Sequence, residues 1–234
     1  MIYVLINPLM QSTLVVPPLT SKKTQSINDE WRFPKPHSAP QQQPARTAGG
    51  SAGGSAGGSA TFSGVVVTEE PGHGAQGAVA ALRGVTTSVI DFGDVIASDF
   101  TICSATRYTG GRYGRILQGS GANWLHGHHG WHYNTNREST PRAGYAAYNG
   151  ASTSTHNVKP YTDWVVMCGS NAGSNLKIAN GKDVGTVDGG TGGIGLMINS
   201  GDTPTQYSDF EVAEVITWDR GLTAAETWAA HDYL

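Results

Sequence analysis

The chain has 234 residues, a formal net charge of −3, 32 glycines and 14% charged residues. That length fits one domain or two. Sparse charge with many glycines excludes a helix-rich protein built on Glu, Lys, Ala and Leu, and fits many short strands joined by tight turns.

The charge is unevenly spread. Residues 1–60 hold five Lys/Arg and two acids, which leaves ten basic and sixteen acidic residues, a net of −6, for the remainder. A net-acidic body with no basic stripe is unsuited to nucleic acid, because phosphate contacts need clustered Lys and Arg. No run approaches the ~18 apolar residues of a membrane span. Met1 to Val16 is apolar enough to resemble a signal peptide, but it lacks a basic start and Asn7, Pro8 and Gln11 interrupt it.

Residues 1–47 are expected to be a disordered or extended arm, since from residue 17 they are rich in Pro, Gln, Ser and Lys and cannot bury enough apolar surface to offset ordering. The Gly/Ser/Ala run 48–60 is expected to be a flexible linker, with a reach of ~20 Å. It would tether a folded domain at 61–234 to something else, such as a protein assembly partner engaged through residues 1–60.

Strand candidates then follow one another: Phe62–Thr68, Ala78–Leu82, Thr86–Phe92, Asp99–Tyr108, Arg115–Gln118, Asn123–His126, Gly144–Tyr148, Asp163–Cys168, Leu176–Ala179, Val184–Val187, Ile194–Asn199 and Asp209–Trp218. In Asp99–Tyr108, Phe100, Ile102, Thr106 and Tyr108 share one face. Asn180-Gly181 is a two-residue hairpin signal, since a type I′ turn needs positive φ at both positions. One helix is expected, after the capping box Thr223-Ala-Ala-Glu226, with Trp228, His231 and Leu234 on its packing face at a sheet edge. The fold class is therefore all-β: a two-sheet antiparallel sandwich, or jelly roll, with one short C-terminal helix.

The closing segment Glu214-Val-Ile-Thr-Trp-Asp-Arg-Gly-Leu-Thr-Ala-Ala-Glu226 resembles the strand–turn–helix that ends laminin-G-like domains of the concanavalin A-like lectin/glucanase superfamily. Asp99-Phe-Thr-Ile-Cys103 and the hairpin strand before Asn180 are similar to that family's core strands. The resemblance runs from about Val79 to the end, and it implies a concanavalin A-like sandwich while saying almost nothing of activity. Glu214, partly buried in mid-strand, would need a partner, for which Arg220 is the candidate. The superfamily commonly binds Ca²⁺, and Asp183, Asp188, Asp202 and Asp209 are oxygen donors in or beside loops. No D-x-D-x-D-G run occurs, so no calcium site is assigned.

The run Asn123-Trp-Leu-His-Gly-His-His-Gly-Trp-His-Tyr-Asn134 is the feature with the most chemistry. Glycines 127 and 130 suggest a turn or loop. Trp124, Trp131 and Tyr133 offer flat apolar faces, while Asn123, His126, His128, His129 and His132 offer donors and acceptors. That mixture suits a glycan or glycoprotein ligand, with Arg107 and Arg115 as further contacts. A rival reading is a transition-metal site, since His126 and His128 alternate onto one face and His129 and His132 are three apart. A third is scaffold, with tryptophans packed and histidines bonded to carbonyls.

Catalysis finds little support. Retaining glucanases need two carboxylates ~5–5.5 Å apart. In Asp209-Phe-Glu-Val-Ala-Glu214, Asp209 and Glu211 share a face and regular alternation puts Glu214 on the other. There is no G-x-S-x-G elbow, and Gly189–Gly193 lacks the Lys and helix of a phosphate loop. Cys103 and Cys168 lack C-x-x-C spacing and are either buried thiols or one disulfide. A disulfide would point to an oxidising compartment, extracellular or surface-associated. The expectation is a non-catalytic binding module, with a structural or assembly protein of a surface, wall or virion as the second reading.

Overall fold

The computed structural model describes residues 60–121, 123–129, 160–185, 190–201 and 204–234 with their side chains, and the backbone of strand residues 2–4, 47–53, 59, 142–146 and 156–157. The strands are, in chain order, β1 (Ile2–Val4), β2 (Thr47–Gly53), β3 (Ser59–Glu70), β4 (Val79–Gly84), β5 (Val89–Ile96), β6 (Thr101–Tyr108), β7 (Arg115–Gly119), β8 (Leu125–His129), β9 (Arg142–Ala146), β10 (His156–Asn157), β11 (Val165–Ser170), β12 (Lys177–Ala179), β13 (Lys182–Gly185), β14 (Ile194–Ile198) and β15 (Phe210–Trp218). A short 3₁₀ turn at Pro204–Gln206 precedes β15, and the single helix, α1 (Ala224–Tyr233), follows it.

All described pairings are antiparallel, and the strands form one continuous curled sheet in the order β10-β9-β8-β7-β14-β5-β3-β4-β15-β6-β11-β12-β13. The curl originates at β3. Its first half pairs with β5 (Thr61 opposite Asp91) and its second half with β4 (Val66 opposite Arg83). Gly64 sits between the halves at φ +68°, in the left-handed region where a side chain is strained. Its carbonyl accepts from Ser88 Oγ at 2.5 Å, which pins the β4–β5 corner against β3. From that corner β4 and β5 diverge into two wings, one running to β13 and one to β10.

The curl lets both wings bury their inner faces against each other. One apolar cluster draws on both: Ile90, Phe92, Leu117, Trp124, Leu196 and Ile198 from the β5–β8 wing, and Ile102, Tyr108, Phe210, Val212 and Val215 from the β4–β11 wing. A second, smaller cluster lies on the outer face of β6, β11 and β15, where Cys103, Cys168, Ile216, Trp218 and Leu222 are roofed by Ala230 of α1 and by Leu234, which caps its end. Cys103 and Cys168 stand opposite each other on β6 and β11 and form a disulfide, which resolves the thiol alternative.

The Asn180-Gly181 turn joins β12 and β13 with φ of 45° and 72°, as a type I′ turn requires. The capping box is present: Thr223 Oγ1 accepts from Glu226 N, and the Glu226 carboxylate accepts from Thr223 N at 2.9 Å. The helix packs on the outer face of β11 and β12 rather than closing a sheet edge, and its buried side chains are Thr227 and His231, with Trp228 only half-buried.

Parts of the N-terminal stretch fall within the described residues. Thr47–Gly53, inside the expected arm and linker, is strand β2 on the flank of β3, and β3 itself begins at Ser59. Ile2–Val4 pairs with Val215–Thr217 of β15. Gly-Gly-Ser-Ala repeats carry small side chains on both faces, so nothing in their pattern betrays a strand. The other residues of 1–58 lie outside the described residues. No helix among the described residues is long and apolar enough to cross a membrane.

Candidate functional site

Strand β8 carries the histidine run. It pairs with β7 (His126 opposite Leu117, His129 opposite Arg115) and, on its other side, with β9. Glycine at 127 reads as a turn in sequence, but it lies within the strand at φ +78° and marks a register shift in the pairing with β9. The irregularity leaves His126 and His128 on the same inner side. There β8 faces β6 and β11 across the core.

The inner side chains are enclosed. Trp124 is 1% exposed and tilts against Phe100 with ring centroids 6.1 Å apart. His126 is stacked on Trp124, and its Nε2 donates to the carbonyl of Met167 on β11 at 3.3 Å. His128 meets Tyr108 edge-on at 4.5 Å, and its Nδ1 is 3.0 Å from Thr106 Oγ1 on β6. Burial holds the His126 imidazole down to about 4, opposed by its bond to Met167, and holds His128 down to about 3 with help from its neighbour His126. Both rings are therefore neutral at physiological pH. His126 Nδ1, His128 Nε2, Ser104 Oγ and Trp124 Nε1 are buried with no hydrogen-bond partner.

The expected ligand patch is thus placed differently from a surface loop. Among its residues Asn123 is exposed, and its Oδ1 accepts from Arg115 Nη2 at 2.5 Å. Arg115 is buried and also donates from Nε to Gln206 at 2.5 Å. His129 is buried, and that burial, helped by the neighbouring Arg115 charge, brings its imidazole down to about 4. Trp131, His132 and Tyr133 lie outside the described residues. The structure brings Trp124, His126 and His128 together, but inside the molecule.

Arg107 belongs to a different constellation, on the outer face of the other wing. Glu211 of β15 is 1% exposed and is clasped by Arg107 Nε at 2.5 Å and Arg83 Nε at 2.6 Å, with Thr68 Oγ1 donating at 2.9 Å. Glu70 closes the group on Arg83 Nη2 at 2.5 Å, and that contact holds its carboxyl below the usual range. The Trp164 ring lies under the Arg107 guanidinium at 5.5 Å. The 71–78 loop reaches this corner, where Trp164 N donates to the His73 carbonyl at 2.9 Å.

Two expectations about β15 are corrected here. A bulge between Val212 and Glu214 places Glu211 opposite Arg107 and Glu214 opposite Ala105, so both glutamates share the outer face that alternation would have divided. Glu214 does not pair with Arg220. Its carboxyl is raised by burial and bonded to Tyr233, while Arg220 grips Glu226 at 2.8 and 3.0 Å. Glu226 is held down at about 2 by that guanidinium and by the Thr223 backbone.

Of the possible calcium donors, Asp209 Oδ1 accepts from Thr86 N at 3.2 Å and Asp183 Oδ1 from Gly185 N at 2.8 Å, while Asp188 and Asp202 lie outside the described residues. Among the described residues no group of three or more His, Cys, Asp or Glu side chains gathers as a metal cage.

Among the described residues, an open cleft lies between the β4–β5 corner, the β6–β7 loop and the 3₁₀ turn. It encloses about 280 Å³ and is lined by Thr86, Arg112, Pro204, Thr205 and Tyr207. Sequence reasoning missed it. Its lining comes from three separate loops, none with a composition that stands out. The sequence matches no protein-family model, and a search of the curated proteins finds no match.

Proposed function

We propose that this chain is a non-catalytic binding module, built on a two-sheet concanavalin A-like sandwich, that takes a carbohydrate or glycoprotein ligand at the loop end of the sheet. The observation that carries this reading is the polar cleft of about 280 Å³. Thr86 and Thr205 bring hydroxyls to the lining, and Tyr207, whose own hydroxyl donates to the Gly201 carbonyl at 3.1 Å, brings a ring for a sugar CH face. The volume is at the lower end for small-molecule sites, in keeping with one or two sugar units. The sandwich is supported by the single core shared between both wings, and the Cys103–Cys168 disulfide favours an extracellular or surface setting.

The carboxylates argue for binding over hydrolysis. Glu211 is clasped by two guanidiniums and Asp209 bonds a backbone amide, so neither is placed as a nucleophile or proton donor. A second reading, a structural or assembly protein, draws on β1 and β2: segments far upstream in the chain add strands to the body, the geometry by which one copy could complete another.

A glycan array probed with the full chain tests the first reading. Binding is expected to fall at least tenfold in Tyr207→Ala and Thr86→Ala while Asn123→Ala is unaffected. Absence of glycan binding together with concentration-dependent assembly would transfer the case to the second reading.

A further inference from the structure

The turn that joins β12 to β13 is Asn180-Gly181, and this pair of residues has a chemistry of its own. The Gly181 nitrogen can attack the side-chain carbonyl carbon of Asn180, Cγ. An N–Cγ bond forms, the Cγ–Nδ2 bond breaks, and the proton shed by the Gly181 nitrogen leaves with Nδ2 as ammonia. The five-membered succinimide that results takes up water at one carbonyl or the other, which gives an aspartyl or an isoaspartyl residue at position 180. Water is the sole co-reactant. Both residues are exposed to it, and nothing stands within 4 Å of the place a side chain on Gly181 would occupy.

The folded chain holds the reacting groups elsewhere. The Gly181 N–H donates to His231 Nε2 of α1 at 3.0 Å. A backbone N–H only donates, so that ring nitrogen is the acceptor. The His231 ring is 9% exposed, and its other nitrogen faces Asp232. The carboxamide is turned to β11: Asn180 Oδ1 accepts from Val166 N at 2.8 Å, and Nδ2 donates to the Trp164 carbonyl at 3.2 Å. Since Asn180 N also donates to the Val166 carbonyl at 2.9 Å, the side chain carries the β11–β12 ladder past the end of the strand. Ring closure needs the Gly181 nitrogen released and brought to about 3–3.5 Å from Cγ. Gly181 must therefore leave His231, and the carboxamide must leave β11. Undocking of α1 is a local opening, and such openings take less free energy than global unfolding.

We propose that Asn180-Gly181 is a self-modification site gated by α1, closed while His231 sits on the turn and open when the helix lifts. The change runs one way. An isoaspartyl link adds a backbone carbon that a two-residue turn cannot absorb. An aspartyl sets a carboxylate oxygen against the Trp164 carbonyl, where an N–H donor stood. A lifted helix is thus recorded as a loosened β12–β13 hairpin. The gate is independent of any ligand at the loop-end cleft.

The full chain, with its disulfide intact, is aged in mildly alkaline buffer both folded and in urea, and peptide mass mapping with isoaspartyl-specific methylation follows position 180. In urea Asn180 should convert at a rate like that of Asn149, which heads the other Asn-Gly pair of the sequence. In the folded chain conversion at 180 should be slower than in urea by at least about tenfold. Thr223→Ala, which weakens the helix cap, should speed it about fivefold, and His231→Ala by no less. Ser88→Ala, at the distant β4–β5 corner, should leave the rate unchanged. A cooperative melt shows which variants are folded, and Thr223→Ala decides the matter if His231→Ala is not. The converted protein, separated by its added negative charge, should exchange the amides of β13 faster. Equal rates in buffer and in urea, no acceleration in folded Thr223→Ala, or equal acceleration in Ser88→Ala would each overturn the gate. The turn would then be unguarded, guarded by β11 alone, or opened by global unfolding.

Discussion

At the scale of residues, the protein stores polar groups where apolar ones would pack, and each has a measurable consequence. For His126 and His128, folding lowers the imidazole pKa from 6.5 to about 4 and about 3. The unfolded chain therefore binds protons that the folded chain refuses. Stability contributed by the neutral rings is complete above pH 6.5 and is lost as pH falls below it. At pH 5 the loss is about 2 kcal/mol for each ring, from 1.36 kcal/mol per pKa unit. Urea midpoints at pH 7 and pH 5 check this, and His128→Phe should flatten the difference. Below pH 4.5 the lowered Glu70 adds to the loss, whereas the raised Glu214 acts above pH 4.5, where the folded chain takes up its proton before the unfolded one and falling pH restores stability. Glu211 is the other such group. Glu211→Gln strips the carboxylate from Arg107, itself 3% exposed, and should cost about 3–5 kcal/mol in chemical denaturation. Replacing Arg107 and Glu211 together by Met should recover most of that loss.

At the scale of elements, α1 shows what local chemistry can specify. Its box closes in both directions between Thr223 and Glu226, and Arg220 grips the same carboxylate. Thr223→Ala should cost about 1 kcal/mol, seen as a lower melting temperature. The fraying should also loosen Ala230 and Leu234 from the disulfide they cover, seen as faster amide exchange in β11. This helix, the Asn180-Gly181 hairpin and the alternation of β6 were all legible in sequence because each depends on neighbours a few residues away. The sites were not. Glu214 and Glu211 share a face only because a bulge intervenes, and a bulge leaves no composition signal in Glu-Val-Ala-Glu. Gly127 signals a turn, yet β7 and β9 on either side hold it in a strand. Trp and His residues read the same at a sugar site and in a core, and what turned Trp124 inward was the opposing wing, which no local window contains. The cleft is a meeting of three loops, fixed only by the curl of the sheet.

At the scale of the whole molecule, the disulfide joins what the topology separates. Between Cys103 and Cys168 the chain leaves β6, builds β7, β8, β9 and β10 in the far wing, and returns to β11 beside its starting point. The bond thus closes a loop spanning 65 positions that contains most of the second wing. Loop-closure entropy for such a span corresponds to about 4 kcal/mol at room temperature, a large share of the roughly 5–15 kcal/mol that holds a domain together. Cys103→Ala/Cys168→Ala should lower the unfolding free energy by about that amount in urea titration. Reduction of the native protein should be slow, because both sulfurs are buried under Trp218, Leu222 and α1. A thiol reagent should act at a rate set by undocking of the helix, and Thr223→Ala, which weakens the cap, should speed it. Equal reduction rates in the two proteins would show that the reagent reaches the sulfurs by another route. If the double variant keeps its full free energy, the far wing is held by the shared core alone, and the disulfide serves the local β6–β11 pairing instead.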